Sequence, residues 1–279
     1  MKDFMHSFAR NPGALVGLGF LILVVLVAIF AGVLFPVSPW QMAGTPFMPP
    51  GHGGFLLGSD SLGRNVAVGI AYGARVSLLI GVVSTLVSLA IGIGLGALAG
   101  YTGGLIDDAI MRVTEFFQTI PSFILAVVLV AIFSPTLFSI VGSIALVSWQ
   151  PVARVVRAEF RTFRGREFVQ AAEVLGRSRL AIIFHEILPN ALPPVIVLGS
   201  LMIASSILLE SALSFLGLGD PNLMSWGFMI GAGRSVIQLA WWVSVFPGVA
   251  IFLTVLALNL VGEGLGDALD PRLMRRRQA

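Results

Sequence analysis

The sequence predicts an all-α polytopic membrane protein with six transmembrane helices. Three observations carry this expectation. Apolar residues make up 57% of the chain and charged residues only 11%, where an ordinary soluble domain carries about 25% charged residues. Long apolar segments, some broken by proline, recur along the whole chain. The charges collect between them: seven of the 17 basic residues lie from Arg154 to Arg179.

Residues 1–13 form a short polar N-terminus carrying Lys2 and Arg10. Residues 14–35, Ala14 to Phe35, hold no charge and span about 33 Å as a helix, enough to cross a bilayer. A basic start before an apolar core also fits a secretory signal. Such cores run to about 15 residues and end at small residues, whereas this run is longer and passes into Phe35-Pro36-Val37. A retained first span is expected.

Residues 36–71 read as an extracytoplasmic loop rich in Gly and Pro. Within it, Gly58, Gly63, Arg64 and Asn65 imitate the spacing of a phosphate-binding loop. Arg64 stands in the lysine position, Asn65 lacks the hydroxyl that would hold magnesium, and no strand precedes it, so the nucleotide reading is rejected.

Residues 72–265 read as a core of five further spans. The second is Val76–Gly100, where Gly92, Gly94, Gly96 and Gly100 let helices approach closely. An amphipathic segment, Leu105–Phe117, follows, with Asp107, Asp108, Arg112 and Glu115 assigned to its polar face. Pro121 separates it from the third span, Ser122–Phe133. The fourth, Leu137–Val156, is interrupted at Pro151; the fifth is Ile187–Leu213 and the sixth Trp241–Val261. Residues 161–186 are a polar loop between spans four and five, and residues 214–240 an extracytoplasmic loop with a partly buried helix. Residues 266–279 are the C-terminus.

Six spans put both termini on one side of the membrane. Lys2, Arg10, Arg112, the arginines from Arg154 to Arg179 and Arg272, Arg275, Arg276 and Arg277 fall on that side. Only Arg64, Arg75 and Arg234 fall on the other. The excess of basic residues places the termini and the charged loop in the cytoplasm.

Little chemistry is present. There are no cysteines, and the three histidines (His6, His52, His185) lie in separate segments, so neither a thiolate site nor a histidine metal cage is expected. No catalytic constellation and no nucleotide-binding loop can be assembled, which makes the chain a non-enzyme with no cofactor of its own. The basic balance does not suggest nucleic acid, because no basic stripe is interleaved with stacking aromatics. Glu210 and Asn259 are the candidate pathway or helix-packing polar groups. For Glu210 a substrate or proton site competes with a hydrated or helix-bonded place near the external end of span five. His185 and Glu186 read as boundary groups at the membrane surface.

The charged loop reads as a docking element. Phe168–Gly176 has helix-forming composition, and Ala172 and Gly176, four apart, would leave a flat strip for another surface. Pro189 is expected to stop the helical pattern.

Gln170-Ala171-Ala172, then Gly176, then Ile187-Leu188-Pro189 resemble the EAA loop of permease subunits of bacterial ABC importers. Gln170 stands where that pattern has glutamate, and Ile187 directly precedes Leu188. The resemblance continues through RNPGALVGL (Arg10–Leu18), LGSDSLGRN (Leu57–Asn65), YGARVSLLIG (Tyr72–Gly81), AGYTGGLIDDAIMR (Ala99–Arg112), HEILPNALPP, ALSFLGLGDP and NLVGEGLGDALDPRL. Together these narrow it to the dipeptide/oligopeptide/nickel group, in its C-type subunit.

The resemblance implies the MetI-like permease fold with a cytoplasmic coupling helix, in a bacterial inner membrane. It implies a paralogous permease as heterodimer partner, two ATPase subunits that bind ATP and Mg, and an extracytoplasmic substrate-binding protein. Peptides are the expected substrate; nickel chelates or other small solutes are the alternative within the group, and an ion-gradient-driven transporter the alternative of another class. Carried over, Arg166, Glu167, Gln170, Ala171, Ala172, Glu173, Gly176 and Arg177 would contact an ATPase.

Overall fold

The computed structural model describes residues 7–269, so Lys2, His6 and the terminal arginines lie outside the described residues. Among the described residues every regular element is helical.

Helix α1 (Pro12–Leu34) starts from Asn11, whose Oδ1 accepts from the Ala14 N–H at 3.1 Å. Pro12 sits in the first turn, where its missing N–H costs nothing. Helix α2 (Val66–Thr102) begins inside the stretch expected to be loop. Asn65 caps it, accepting from the Ala67 N–H at 2.9 Å, and Val66, Val68 and Ala71 in its first turns are buried. At 37 residues it is about 55 Å long and outlasts the hydrocarbon core.

Helices α3 (Gly104–Thr119) and α4 (Ser122–Phe133) meet at 87°, and α5 (Leu137–Ser148) and α6 (Gln150–Arg164) at 44°. Helices α1, α2, α8 (Arg179–Phe215) and α10 (Trp242–Leu269) are each long and apolar enough to cross a membrane; the count reaches six when each bent pair is taken as one crossing. The break in the fourth span falls at Trp149, just ahead of the expected Pro151. Pro151 cannot donate back to the preceding turn, so the ladder is interrupted there and restarts with the proline in the first turn of α6.

Pro189 does not end a helix. The segment Ile182–Ile187 is a π-helical turn, and the Leu188 N–H bonds the Ile183 carbonyl five residues back. This widened turn shifts the register ahead of Pro189 and lets α8 run on to Phe215. Two short helices, α7 (Glu167–Val174) and α9 (Trp226–Gly233), lie between the long ones.

Small residues set the packing. A Cβ on Gly92, Gly96 or Gly100 of α2 would come within 2.8 Å of α6 backbone or side chains, so this glycine row is where the two helices touch. Gly17 of α1 lies equally close to Ala257 of α10, and Gly81 of α2 to Ile207 of α8. The core of the end that carries α7 joins Tyr101, Val156, Phe160, Val169, Ile182 and Ile187.

At the opposite end the stretch rejected as a phosphate loop is a compact turn. Asp60 Oδ1 accepts from the N–H groups of Leu62 and Arg64, and Arg64 Nε donates to Asp60 Oδ2 at 2.5 Å. The Trp242 indole N–H then bonds the Ser59 carbonyl at 3.0 Å, tying the loop to α10.

Candidate functional site

The expected docking element is helix α7, held between α6 and α8. It begins after Arg166, whose backbone is extended (φ −81°, ψ 147°), and it ends at Val174. Gly176 follows at φ +73°. The Gly176 N–H bonds the Glu173 carbonyl and the Arg177 N–H the Ala172 carbonyl. These two bonds make the left-handed helix terminus that favours glycine.

This geometry overturns the flat strip. Ala172 is only 6% exposed and, with Val169, packs into the core beside Phe160 and Ile187. Gly176 lies past the helix end and is there for its backbone angle. The outward face is a different one. Arg166, Glu167, Gln170, Ala171, Glu173 and Arg177 are exposed, and beside them stand apolar side chains that periodicity did not single out. Val174 is 88% exposed, Leu175 82% and Leu180 68%. Their signal in the sequence is the presence of branched apolar residues inside the most charged segment. An apolar cluster ringed by charge is the signature of a protein contact.

The element is braced from below. Arg177 pairs with Glu186 on the π-helical turn, Asn190 Nδ2 bonds the Glu186 carbonyl at 2.7 Å, and Ser178 caps the start of α8 by accepting from the Ala181 N–H. On the neighbouring side Asp107 of α3 is buried, contrary to its assignment to a polar face. Arg157 of α6 donates to it from both Nε and Nη2, and this hydrogen bonding holds the Asp107 carboxyl below its usual range. A cavity of about 690 Å³ opens beside the pair, lined by Asp108, Arg112, Glu115 and Arg154.

Glu210 sits at the far end of α8, 1% exposed. It takes part in no ion pair among the described residues. Ser214 Oγ and Ser225 Oγ each donate to its Oε1 at 2.7 Å, and Ser211 Oγ stands 3.5 Å from Oε2. Asn259 is exposed and far from this cluster in the chain; its Nδ2 bonds the Val255 carbonyl of its own helix at 2.9 Å. Among the described residues no three acidic or histidine side chains gather as a metal site.

Comparison with known proteins agrees with this architecture. Residues 92–275 match the family described as the binding-protein-dependent transport system inner membrane component. Residues 1–50 match the N-terminal TM domain of oligopeptide transport permease C. The di/tripeptide transport system permease protein DppC of Pseudomonas aeruginosa is 43% identical over 98% of this chain and 92% of its own length. The dipeptide transport system permease protein DppC of Escherichia coli K12 is 42% identical over 98% and 93%. The oligopeptide transport system permease protein OppC of Bacillus subtilis is 34% identical over 98% and 90%.

Among solved structures, two crystal forms of the inward-facing MetNI methionine ABC transporter align with TM-scores of 0.59 at 17% and 20% identity. They cover 72% of this chain and 96% of theirs, which establishes the fold. Matches over nearly the full length, on a helical core of the same fold, make this chain a multi-pass inner-membrane permease subunit of the binding-protein-dependent ABC importer family, a non-catalytic component whose ATPase resides in separate chains.

Proposed function

We propose that this chain is one of two paralogous permeases that together form the translocation path of an ATP-driven importer of di- or oligopeptides. Both termini lie in the cytoplasm, α7 is the coupling helix, and an extracytoplasmic binding protein delivers peptide to the end bearing α9. Two partner ATPases bind ATP and Mg. The di/tripeptide, dipeptide and oligopeptide transport named for the relatives supports the peptide assignment.

The observation that carries the docking part is the exposed edge Val174-Leu175-Leu180 beside exposed arginines. Large aliphatic groups left in water at the most charged end of a membrane protein are accounted for by a partner that covers them. Helix α7 is joined through Gly176 and the π-helical turn to α8, which runs the full depth of the bundle. A push on α7 therefore reaches the membrane through a continuous helix.

The test is co-purification of the chain with its partner subunits, scored for bound ATPase and for peptide uptake. Leu175→Asp should release the ATPase while the permease still inserts and pairs. Retention of the ATPase with unchanged uptake would refute this docking surface. A chain that purifies folded and transports on an ion gradient with no ATPase would overturn the importer reading itself.

A further inference from the structure

Helix α9 is the only α-helix between α8 and α10 among the described residues, and it is seated with little clearance. A Cβ on Gly227 would stand 2.7 Å from Ser211 Cα, and one on Gly231 would stand 2.7 Å from the Ser214 carbonyl oxygen. These two glycines, one turn apart, lay α9 flush on the last turns of α8. Glu210 closes the contact from below. Its Oε1 accepts from Ser225 Oγ–H, and Ser225 is the N-cap of α9, its Oγ accepting in turn from the Phe228 N–H at 3.0 Å. One carboxylate oxygen thus gathers a hydroxyl of α8, from Ser214, and the cap of α9.

A carboxylate is suited to this role because both its oxygens only accept, with room for several donors. In a buried site, hydroxyl donors that lost their acceptor would stay unsatisfied. The first turn of α9 is tied on its other side to α2: the Trp226 N–H bonds Ser77 Oγ at 3.1 Å and its indole N–H the Ile70 carbonyl at 2.9 Å. Helices α2 and α8 are themselves locked through Gly81 on Ile207 and Thr85 on Ser206. Helix α9 therefore rides on one packed body, whose α8 member begins at the coupling loop.

We infer that Glu210 is a positioning residue that fastens α9 to α8, so that a displacement delivered to α8 from α7 carries α9 with it. The role is conformational and requires no substrate contact by Glu210. It rests on the importer reading for the source of the displacement, but the fastening itself is a property of this chain alone.

The chain has no cysteine, so spin labels can be placed at Leu216→Cys and Ser235→Cys, one on each side of the contact, in the assembled transporter in lipid nanodiscs. The distance distribution between them is measured without nucleotide and with ATP and vanadate. Hydrolysis is measured with and without peptide-loaded binding protein. Wild type should give one narrow distribution in both states. Glu210→Leu, and separately Ser225→Ala, should broaden it at least twofold and bring hydrolysis stimulated by binding protein down to the basal rate. Glu210→Gln keeps an acceptor oxygen and should restore both. A narrow distribution in the Leu and Ala variants, or full stimulation despite broadening, would overturn the inference. Absence of ATP-dependent behaviour in wild type would instead count against the importer reading, while the labels would still report whether Glu210 holds α9.

Discussion

Arg157 grips Asp107 at two points, joining the amphipathic helix α3 to α6 across a gap of 50 residues in sequence. Arg161 stands 3.8 Å from the same carboxylate as a second cation. Among the described residues this is the one carboxylate of the bent α3–α4 pair that forms a salt bridge to the bundle; Arg154 of α6 adds a bond to Gln118 of α3 at 3.0 Å. Asp107 is nearly inaccessible, so losing both hydrogen bonds is costly even with Arg161 nearby.

Arg157→Ala should therefore destabilise the purified protein by about 3 kcal/mol, toward the low end for breaking a buried pair because the arginine keeps some contact with water. Thermal unfolding in detergent measures it. Arg157→Lys loses the two-point geometry and should recover only part. The pH dependence has a definite sign. A carboxyl whose value is lowered in the folded state contributes stability that is complete above its unfolded value, 3.8, and is lost as pH falls through the lower folded one. The gap between wild type and Asp107→Asn should stay constant from pH 8 to pH 5 and shrink only in stronger acid. A gap that closes near pH 6 would contradict the assignment.

The glycine row of α2 makes a sharper packing prediction. A Cβ on Gly96 would lie 2.5 Å from the Ala153 carbonyl oxygen, whereas one on Gly94 meets nothing within 4 Å. Gly96→Ala should force α2 and α6 apart at a cost of about 1–3 kcal/mol. Gly94→Ala should be neutral or stabilising by about 0.5–1 kcal/mol through helix propensity alone. Unfolding temperatures of the two variants, compared side by side, decide it. Equal effects would mean that the row does not set the helix separation.

The long apolar helices were legible in the sequence because length and hydropathy alone mark them. Their ends were less so. Helix α2 starts at Val66 because Asn65 caps it and Tyr72 and Arg75 do not interrupt a helix, although they interrupt an apolar run. The π-helical turn before Pro189 was not legible either, since composition does not reveal a register shift. The composition of Phe168–Gly176 reads as a helix and Glu167–Val174 forms one, but Ala172 and Gly176 do not make an open strip on it. Small residues fit a buried contact with the same chain as well as an external one, and only the angle at Gly176 and the burial of Val169 decide which. Glu210 stood out at once as a carboxylate inside a span. Its partner Ser225 does not, because it lies 15 positions further on, past the end of α8 and across the irregular chain before α9.

The two small residues at α7, Ala172 and Gly176, should behave differently. Gly176→Ala places a side chain at φ +73°, costing about 1 kcal/mol, and Gly176→Asn should cost less because asparagine tolerates that region. Ala172→Asp instead puts a carboxylate against Phe160 and Ile187 and should lower the unfolding temperature of the permease by itself, before any ATPase is added. Leu175→Asp should leave that temperature unchanged and lose only the ATPase. Measuring unfolding on the permease and ATPase retention on the complex separates the three. A stable Ala172→Asp permease that fails to bind ATPase would return Ala172 to the docking face.

The Asp60 turn gives the last prediction. Asp60 accepts from two backbone N–H groups and from Arg64 Nε, while the Arg64 guanidinium also lies 5.3 Å from the centre of the Trp40 ring and 5.9 Å from that of Phe228 on α9. The loop is thereby pinned to the surface assigned to the binding protein. Asp60→Asn keeps an oxygen for the two N–H groups but turns an amide donor toward the arginine donor. Loss of this charge-assisted bond should cost about 2 kcal/mol of local stability. Proteolysis of residues 38–65 under conditions where opening is fast should then accelerate about thirtyfold, since 1.4 kcal/mol is roughly tenfold. Arg64→Ala also loses the contacts with Trp40 and Phe228 and should accelerate it at least as much, and the double variant should be no worse than Arg64→Ala alone, because the bond between the two residues is already gone. Strictly additive effects would show that Asp60 and Arg64 hold the loop separately.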